Sequence, residues 1–192
     1  MASEPQQIHP NLLRLALHFA ALSKNKYMPT REHFCPDELH WLFGCFYTVD
    51  VLDGGEDYRF GYCGPCWKMF YGMDLSGKRL SEIEYAEQLH RRRADFDAII
   101  AARRPGYSTG QLQWPNGHTI HYERLTIPFS GTSPHARDNA TMLLVAAQSE
   151  IPVQDVFHYN IHGVPHVVDE DRVWPPFFQS HVHSPNIAIR SL

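Results

Sequence analysis

Hydrophobic and polar positions recur along the chain with two periods, and the change from one to the other marks the elements. From Pro10 onward Leu12, Leu15, Phe19 and Leu22 recur at three- and four-residue spacing, and Leu13, Ala16, Leu17 and Ala20 widen the stripe. That period predicts an amphipathic helix from residue 10 to about residue 22, which Pro29 keeps from continuing. Its stripe has to be buried, on its own domain or on a second copy. Residues 36–42 begin with a proline and two acids, the composition of a short helix start. From residue 45 the period drops to two. Residues 45–52 are aromatic and β-branched, residues 57–63 alternate polar and aromatic, and Asp53-Gly54-Gly55-Glu56 signals a tight turn between them. The three pieces together predict a β-hairpin. Residues 65–71 predict a short helix and residues 72–80 a loop with two glycines. Residues 85–103 are the longest helical stretch, with Leu89, Phe96, Ile99 and Ile100 on its core face and Pro105-Gly106 closing it.

Three more strands follow, over residues 107–114, 118–129 and 139–148. Pro115-Asn116-Gly117 is the hairpin turn between the first two. The run from Met142 to Ala147 is apolar at every position, which predicts a strand covered on both faces. Beyond residue 150, Pro152, Pro165, Pro175, Pro176 and Pro185 break the pattern. An irregular extension is expected there, with at most short strands such as residues 165–168. Leaving Trp174, Phe177 and Phe178 in water is costly, so part of it should pack on the domain or on a partner. The order of elements is that of one α+β domain: a five-stranded antiparallel sheet with helices between the hairpin and the last three strands. The organisation read from this pattern is a flanking helix over 1–27, a domain over 28–150 and a Pro/His-rich extension over 151–192.

Composition narrows the function classes. The chain has 192 residues, of which 43 % are hydrophobic and 20 % charged, an ordinary globular balance. No apolar run is long enough to span a bilayer, and no basic, apolar leader opens the chain, so a cytoplasmic protein without a membrane partner is expected. A formal net charge of -4 gives no electrostatic reason to expect nucleic acid as the main partner. The basic runs Arg91-Arg92-Arg93 and Arg103-Arg104 read as a solvated helix face and as charges that suit a helix C-terminus. Thirteen histidines are the compositional anomaly. His158, His162 and His166 have ligand-like spacing only on a helix, which Gly163 and Pro165 interrupt. His181 and His183 share one face of any strand, yet sit in the extension and read as solvated. No metal site is expected.

Cysteine gives one motif with chemistry. Cys63-Gly64-Pro65-Cys66 has the spacing of a thiol–disulfide loop, in which a helix start lowers the first thiol's pKa and the second closes the disulfide. That use needs a buried apolar strand just before the motif, and residues 56–62 alternate instead. A zinc site on Cys63 and Cys66 would need two more ligands. There is no second CxxC, and Cys35 and Cys45 are too far apart to read as one. Gly-x-Ser-x-Gly, HExxH and phosphate-binding glycine loops are absent, so an enzyme is not expected. Arg59, Glu123 and Arg124 fall within predicted strands. A side chain turned under the helices would need a partner, and a buried arginine would suit an anionic ligand. The alternative is an Arg–Glu cross-strand pair on an open sheet face.

The stretch Gly55-Glu56-Asp57-Tyr58-Arg59-Phe60, then Gly64, then Phe70-Tyr71-Gly72-Met73-Asp74-Leu75-Ser76-Gly77-Lys78-Arg79-Leu80, resembles a bacterial PAS-domain subfamily. Its members read roughly "gdFryRlvGt…lfGrdLtGrrl" there. Asn116-Gly117, Tyr122-Glu123-Arg124-Leu125, Pro128 and Met142-Leu143-Leu144-Val145 are similar to the same subfamily's later strands. The resemblance covers residues 28–150. Tyr71 stands where the family has Phe, and Cys63, Pro65 and Cys66 depart from its pattern. The resemblance implies the sheet order 2-1-5-4-3 with helices over one face, a sensory or interaction role, and a small ligand or cofactor held between sheet and helices. It also implies a homodimer through the N-terminal helix, with Leu12, Leu15, Phe19 and Leu22 as its face. Predicted face and element nominate Tyr62, Trp67, Phe70, Phe96, Ile99, Tyr122 and Met142 as cavity lining, with Arg59 and Arg124 as polar candidates. Haem would need a histidine such as His90 on the long helix, but the adjacent arginines turn that position to solvent. The flavin-binding sequence of light-sensing PAS domains is absent. The expected function is therefore a single-PAS signalling protein that dimerises and binds a small ligand or a protein partner. The alternatives are a redox protein using Cys63 and Cys66, and a ligand-free interaction module whose cavity is filled by aromatic rings.

Overall fold

Strand alternation divides this protein into a core on each face of one sheet. The computed structural model describes residues 8–23, 28–42, 44–83, 86–133, 136, 138–151, 155 and 166–173. Its helices are α1 (Pro10–Leu22), α2 (Pro65–Tyr71) and α3 (Ala86–Ala102), with 3-10 turns at Arg31–His33, Pro36–Leu42 and Leu80–Glu82. Its strands are β1 (Phe46–Leu52), β2 (Asp57–Cys63), β3 (Gly106–Gln113), β4 (Thr119–Ser130), β5 (Ala140–Ser149) and β6 (His166–Val173). The sheet order is β2-β1-β5-β4-β3-β6, every pair antiparallel. The expected 2-1-5-4-3 sheet is present within it. The sixth strand is a correction: residues 166–173 of the extension pair along β3 for most of its length. The unpaired edge that a five-stranded sheet would leave on β3 is thereby covered. His158, His162, Trp174, Phe177, Phe178, His181 and His183 lie outside the described residues.

β5 sits at the centre and is apolar on both faces because both are covered. Met142, Leu144 and Ala146 join Leu125, Ile127 and Phe129 of β4 on one face, and Leu143 and Val145 join Val49, Tyr58 and Phe60 on the other. The first face is closed by α1 and by the turn at Pro36–Leu42, the second by α2, the turn at Leu80–Glu82 and α3. Helices thus cover both faces, where one had been expected. Pro10 opens α1 at its first turn, and the His9 ring accepts the Asn11 N–H at 3.2 Å. The α1 stripe belongs to this chain's own core, and this corrects the dimer face expected at Leu12, Leu15, Phe19 and Leu22. Leu12, Leu15 and Phe19 are 0, 0 and 2 % exposed against the chain's own sheet, and Leu22 packs on the same cluster. Burying them inside the chain satisfies the stripe without a second copy. Among the described residues, no helix is long and apolar enough to cross a membrane.

Candidate functional site

The face beneath α2 and α3 combines buried aromatic rings with buried charge. Of the expected cavity residues, Trp67, Phe70, Phe96, Ile99 and Tyr122 pack on this side of the sheet. Two do not. Met142 points to the α1 face, because along β5 the odd residues face α3 and the even ones α1. Tyr62 also lies on that other side, stacked on Phe46 with ring centroids 4.8 Å apart and 42 % exposed. A β-bulge causes this. Tyr47 pairs with Cys63 but Val49 pairs with Phe60, so two steps along β1 match three along β2. The extra residue inverts the alternation, and Cys63 takes the inward place that simple period-two counting gives to Tyr62.

The charged part of the site is built by α3 and the β3–β4 pair. Phe96 and Ile99 face the sheet, and Arg92 and Asp95 share that helical face, with Asp95, Phe96 and Ile99 three, four and seven residues after Arg92. Arg124 projects from β4 on the α3 side, directly opposite Ser108 of β3 in the strand register. Its guanidinium donates to Asp95 Oδ2 at 2.7 Å, and Arg92 Nη1 lies 3.4 Å from the same oxygen. All three residues are only 5–6 % exposed. A buried carboxylate is stable only when charged donors replace its water, which is what the two arginines do. Gly106 lets α3 settle here, since a Cβ at that position would lie 2.7 Å from Ile99 Cδ1. The reading of residues 91–93 as a solvated run is corrected accordingly. Arg91 is exposed, Arg92 is buried in the site, and Arg93 donates to the Gly55 and Glu56 carbonyls at 3.3 and 2.5 Å. Tyr58 donates its hydroxyl to Asp97 of the same helix, and burial together with that carboxylate pushes the phenol above the ordinary tyrosine range.

A cavity of about 20 Å³ opens beside this cluster, lined by Asp95, Ala98 and Ile99 of α3 and by Ser108, Arg124 and Thr126 of the sheet, among others. That volume holds one or two waters. Tyr47 lies close to the cluster from the β1 side, and burial pushes its phenol well above the ordinary value, with Tyr71 and Cys63 adding to the effect. The polar candidates part company. Arg124 is in the site and is paired to α3, not to a cross-strand glutamate. Arg59 is on the other face, 3.0 Å from Asp50, its register partner on β1, so the cross-strand alternative holds there with aspartate as the acid. Glu123 also faces away, accepting from the His9 N–H at 2.7 Å and the Tyr107 hydroxyl at 2.8 Å. The His90 side chain lies outside the described residues. Sequence reading missed Arg92 and Asp95. Their spacing from Phe96 and Ile99 was the available signal.

The cysteines do not pair as the CGPC spacing suggests. Cys66 is disulfide-bonded to Cys45, while Cys63 is a buried thiol and Cys35 an exposed one. Cys63 turns into the core at the end of β2, and Cys66, on the first turn of α2, comes down beside the residue preceding β1. The Cys63/Cys66 redox pair is corrected on that geometry.

No family model matches the sequence, and no curated protein matches it significantly. Forms of VqmA are among the solved structures similar to it. The structure of VqmA bound to DPO matches with TM-score 0.43 and 14 % identity over 58 % of this chain and 56 % of that one. The Vibrio cholera VqmA–ligand–DNA complex matches with TM-score 0.44 and 13 % identity over 72 % of this chain and 61 % of that one. The Vibrio cholerae VqmA dimer in the absence of target DNA matches with TM-score 0.41 and 14 % identity over 62 % and 52 %. The match thus spans about half to three fifths of the length of those proteins.

Proposed function

We propose that this chain is a PAS-type sensory module that takes a small polar ligand between α3 and the sheet. The observation that carries the reading is the buried Arg92–Asp95–Arg124 cluster beside a cavity on the enclosed face. Apolar side chains of similar volume would serve a purely structural contact at least as well, because desolvating such a cluster is expensive. Placed at a cavity wall, the same groups offer both donors and acceptors to a bound molecule. The cavity itself admits only one or two waters, so any larger ligand has to displace α3 outward. Occupancy and helix position are then coupled: a ligand that binds the displaced arrangement better shifts the population towards it. The Asp95–Arg124 contact is the latch that such a ligand would compete for. The resemblance to PAS domains in the motif at residues 70–80 and the 2-1-5-4-3 strand order support the reading.

A second reading has its own observation. Trp67 stands edge-on to Tyr47 with centroids 4.8 Å apart, and Phe70 and Tyr71 pack around Trp67. Rings that fill the space under α2 are what a ligand-free interaction module would show. A thermal-shift screen of small polar metabolites separates the two. A compound that raises Tm of the wild-type chain, and raises it less in Ser108→Ala, supports the sensor. A complete set without a shift supports the interaction module.

A further inference from the structure

The first turn of α2 is tied to the start of β1 by a seam of cysteine and glycine. Cys45 and Cys66 are joined by a disulfide with Cα atoms 5.1 Å apart across a sequence separation of 21, an ordinary span for such a bond. Beside it the Gly64 N–H donates to the Phe46 carbonyl at 3.0 Å. A Cβ on Gly64 would lie 1.9 Å from the Gly44 oxygen, and one on Gly44 2.5 Å from Pro65 Cδ. The close approach therefore depends on glycine on both sides. Beyond the seam, α2 carries Trp67 over Tyr47 and the core of the enclosed face. Its inward grip is made of rings: the Trp67 Nε1–H is buried and has no acceptor among the described residues.

The three cysteines at this junction differ in environment. Cys45 is buried, Cys66 is partly exposed, and Cys63 is buried. Burial pushes the Cys63 thiol above its ordinary value. Only a thiolate attacks a disulfide, so the raised pKa leaves less of Cys63 in the form that could take over the bond.

We propose that Cys45–Cys66 is a reversible redox site that sets how firmly α2 is held over the sheet. The reductant is a dithiol. Its thiolate attacks Sγ of Cys66, the partly exposed partner, the S–S bond breaks, and Cys45 leaves and takes up a proton. The second thiolate of the dithiol then attacks the mixed disulfide, closing the dithiol's own disulfide and releasing Cys66, which is protonated in turn. Two electrons and two protons have passed to the protein. Hydrogen peroxide reverses the change: the pair loses two electrons and two protons, and the peroxide becomes two waters. Without the bond, α2 loses its covalent tie to the start of β1 and opens more often. The site does not depend on any ligand under α3.

The test uses the full chain, oxidised and after treatment with dithiothreitol. Alkylation with N-ethylmaleimide in denaturant should add two groups to the oxidised chain, at Cys35 and Cys63, and four after reduction. Amide exchange over α2 should be at least about tenfold faster in the reduced chain and return with hydrogen peroxide. Cys45→Ala/Cys66→Ala should match the reduced wild type and ignore both reagents, whereas Cys63→Ala should keep the response. Four adducts without reductant, a linked Cys63–Cys66 peptide, or equal α2 exchange in both states would overturn the proposal. The wild-type comparison needs no variant, so it decides even where the double variant does not fold.

Discussion

Arg124 is the residue on which the enclosed face turns. It leaves β4 buried under α3, and a 2.7 Å contact with Asp95 is what makes its burial tolerable. Removing one member of a buried ion pair costs about 3–5 kcal/mol, because the other charge loses its partner without regaining water. Arg124→Met should therefore destabilise the chain by about that amount in urea unfolding. Arg59→Met should cost under about 1 kcal/mol, since the Arg59–Asp50 pair is exposed to solvent on the arginine side. Equal costs for the two would mean that Arg124 is not anchored as described. The two arginines look alike in the sequence, each within a strand and near an acid. Which one is buried depends on strand register and on which face a helix covers, and neither is written in the local pattern. Tyr62 makes the same point, since one inserted residue in β2 moves it to the other face of the sheet.

Element boundaries were the most legible level. The hydrophobic period placed α1, α2 and β2 at their observed bounds and β1, β3, β4 and β5 within a residue or two. Their proline, glycine and β-branched signals act locally, so they survive folding. The β6 pairing was not legible, because a strand on a sheet edge borrows its hydrogen bonds from β3 and its own sequence carries little period. The disulfide was hidden for a related reason: Cys45 and Cys66 meet through the hairpin, while Cys63 and Cys66 only lie close in sequence. The turn at Leu80–Glu82 shows how an element is pinned by polar contacts. Asp57 accepts from the Ser81 hydroxyl at 2.7 Å and from the Tyr58 N–H at 2.8 Å. Burial works against the Asp57 carboxylate, but these bonds, the Ser81 N–H and the nearby Arg79 outweigh it and hold its pKa below the ordinary value of 3.8. A lowered native pKa adds stability above the unfolded pKa, and that stability is lost as pH falls through the native value. Asp57→Asn should therefore be less stable than wild type at pH 6, with the gap closing below about pH 4. A gap independent of pH would point to packing instead.

At the scale of the whole molecule, α1 completes the fold. Its stripe forms one core with β4 and β5, so the helix that reads as a dimer face is a structural part of the single chain. Leu15→Ala should cost about 2–5 kcal/mol of stability, as buried leucine truncations do, and leave the oligomeric state by sedimentation unchanged. A dissociated but equally stable variant would restore α1 as a dimer contact. The expectation about nucleic acid rests on net charge alone, and the functional reading rests on the enclosed face. Native mass spectrometry of the freshly purified chain, set against the same sample denatured, tests that reading most directly. A mass excess of one small molecule per chain that disappears on denaturation is the expected result. A bare chain mass in the native spectrum, preparation after preparation, would contradict it.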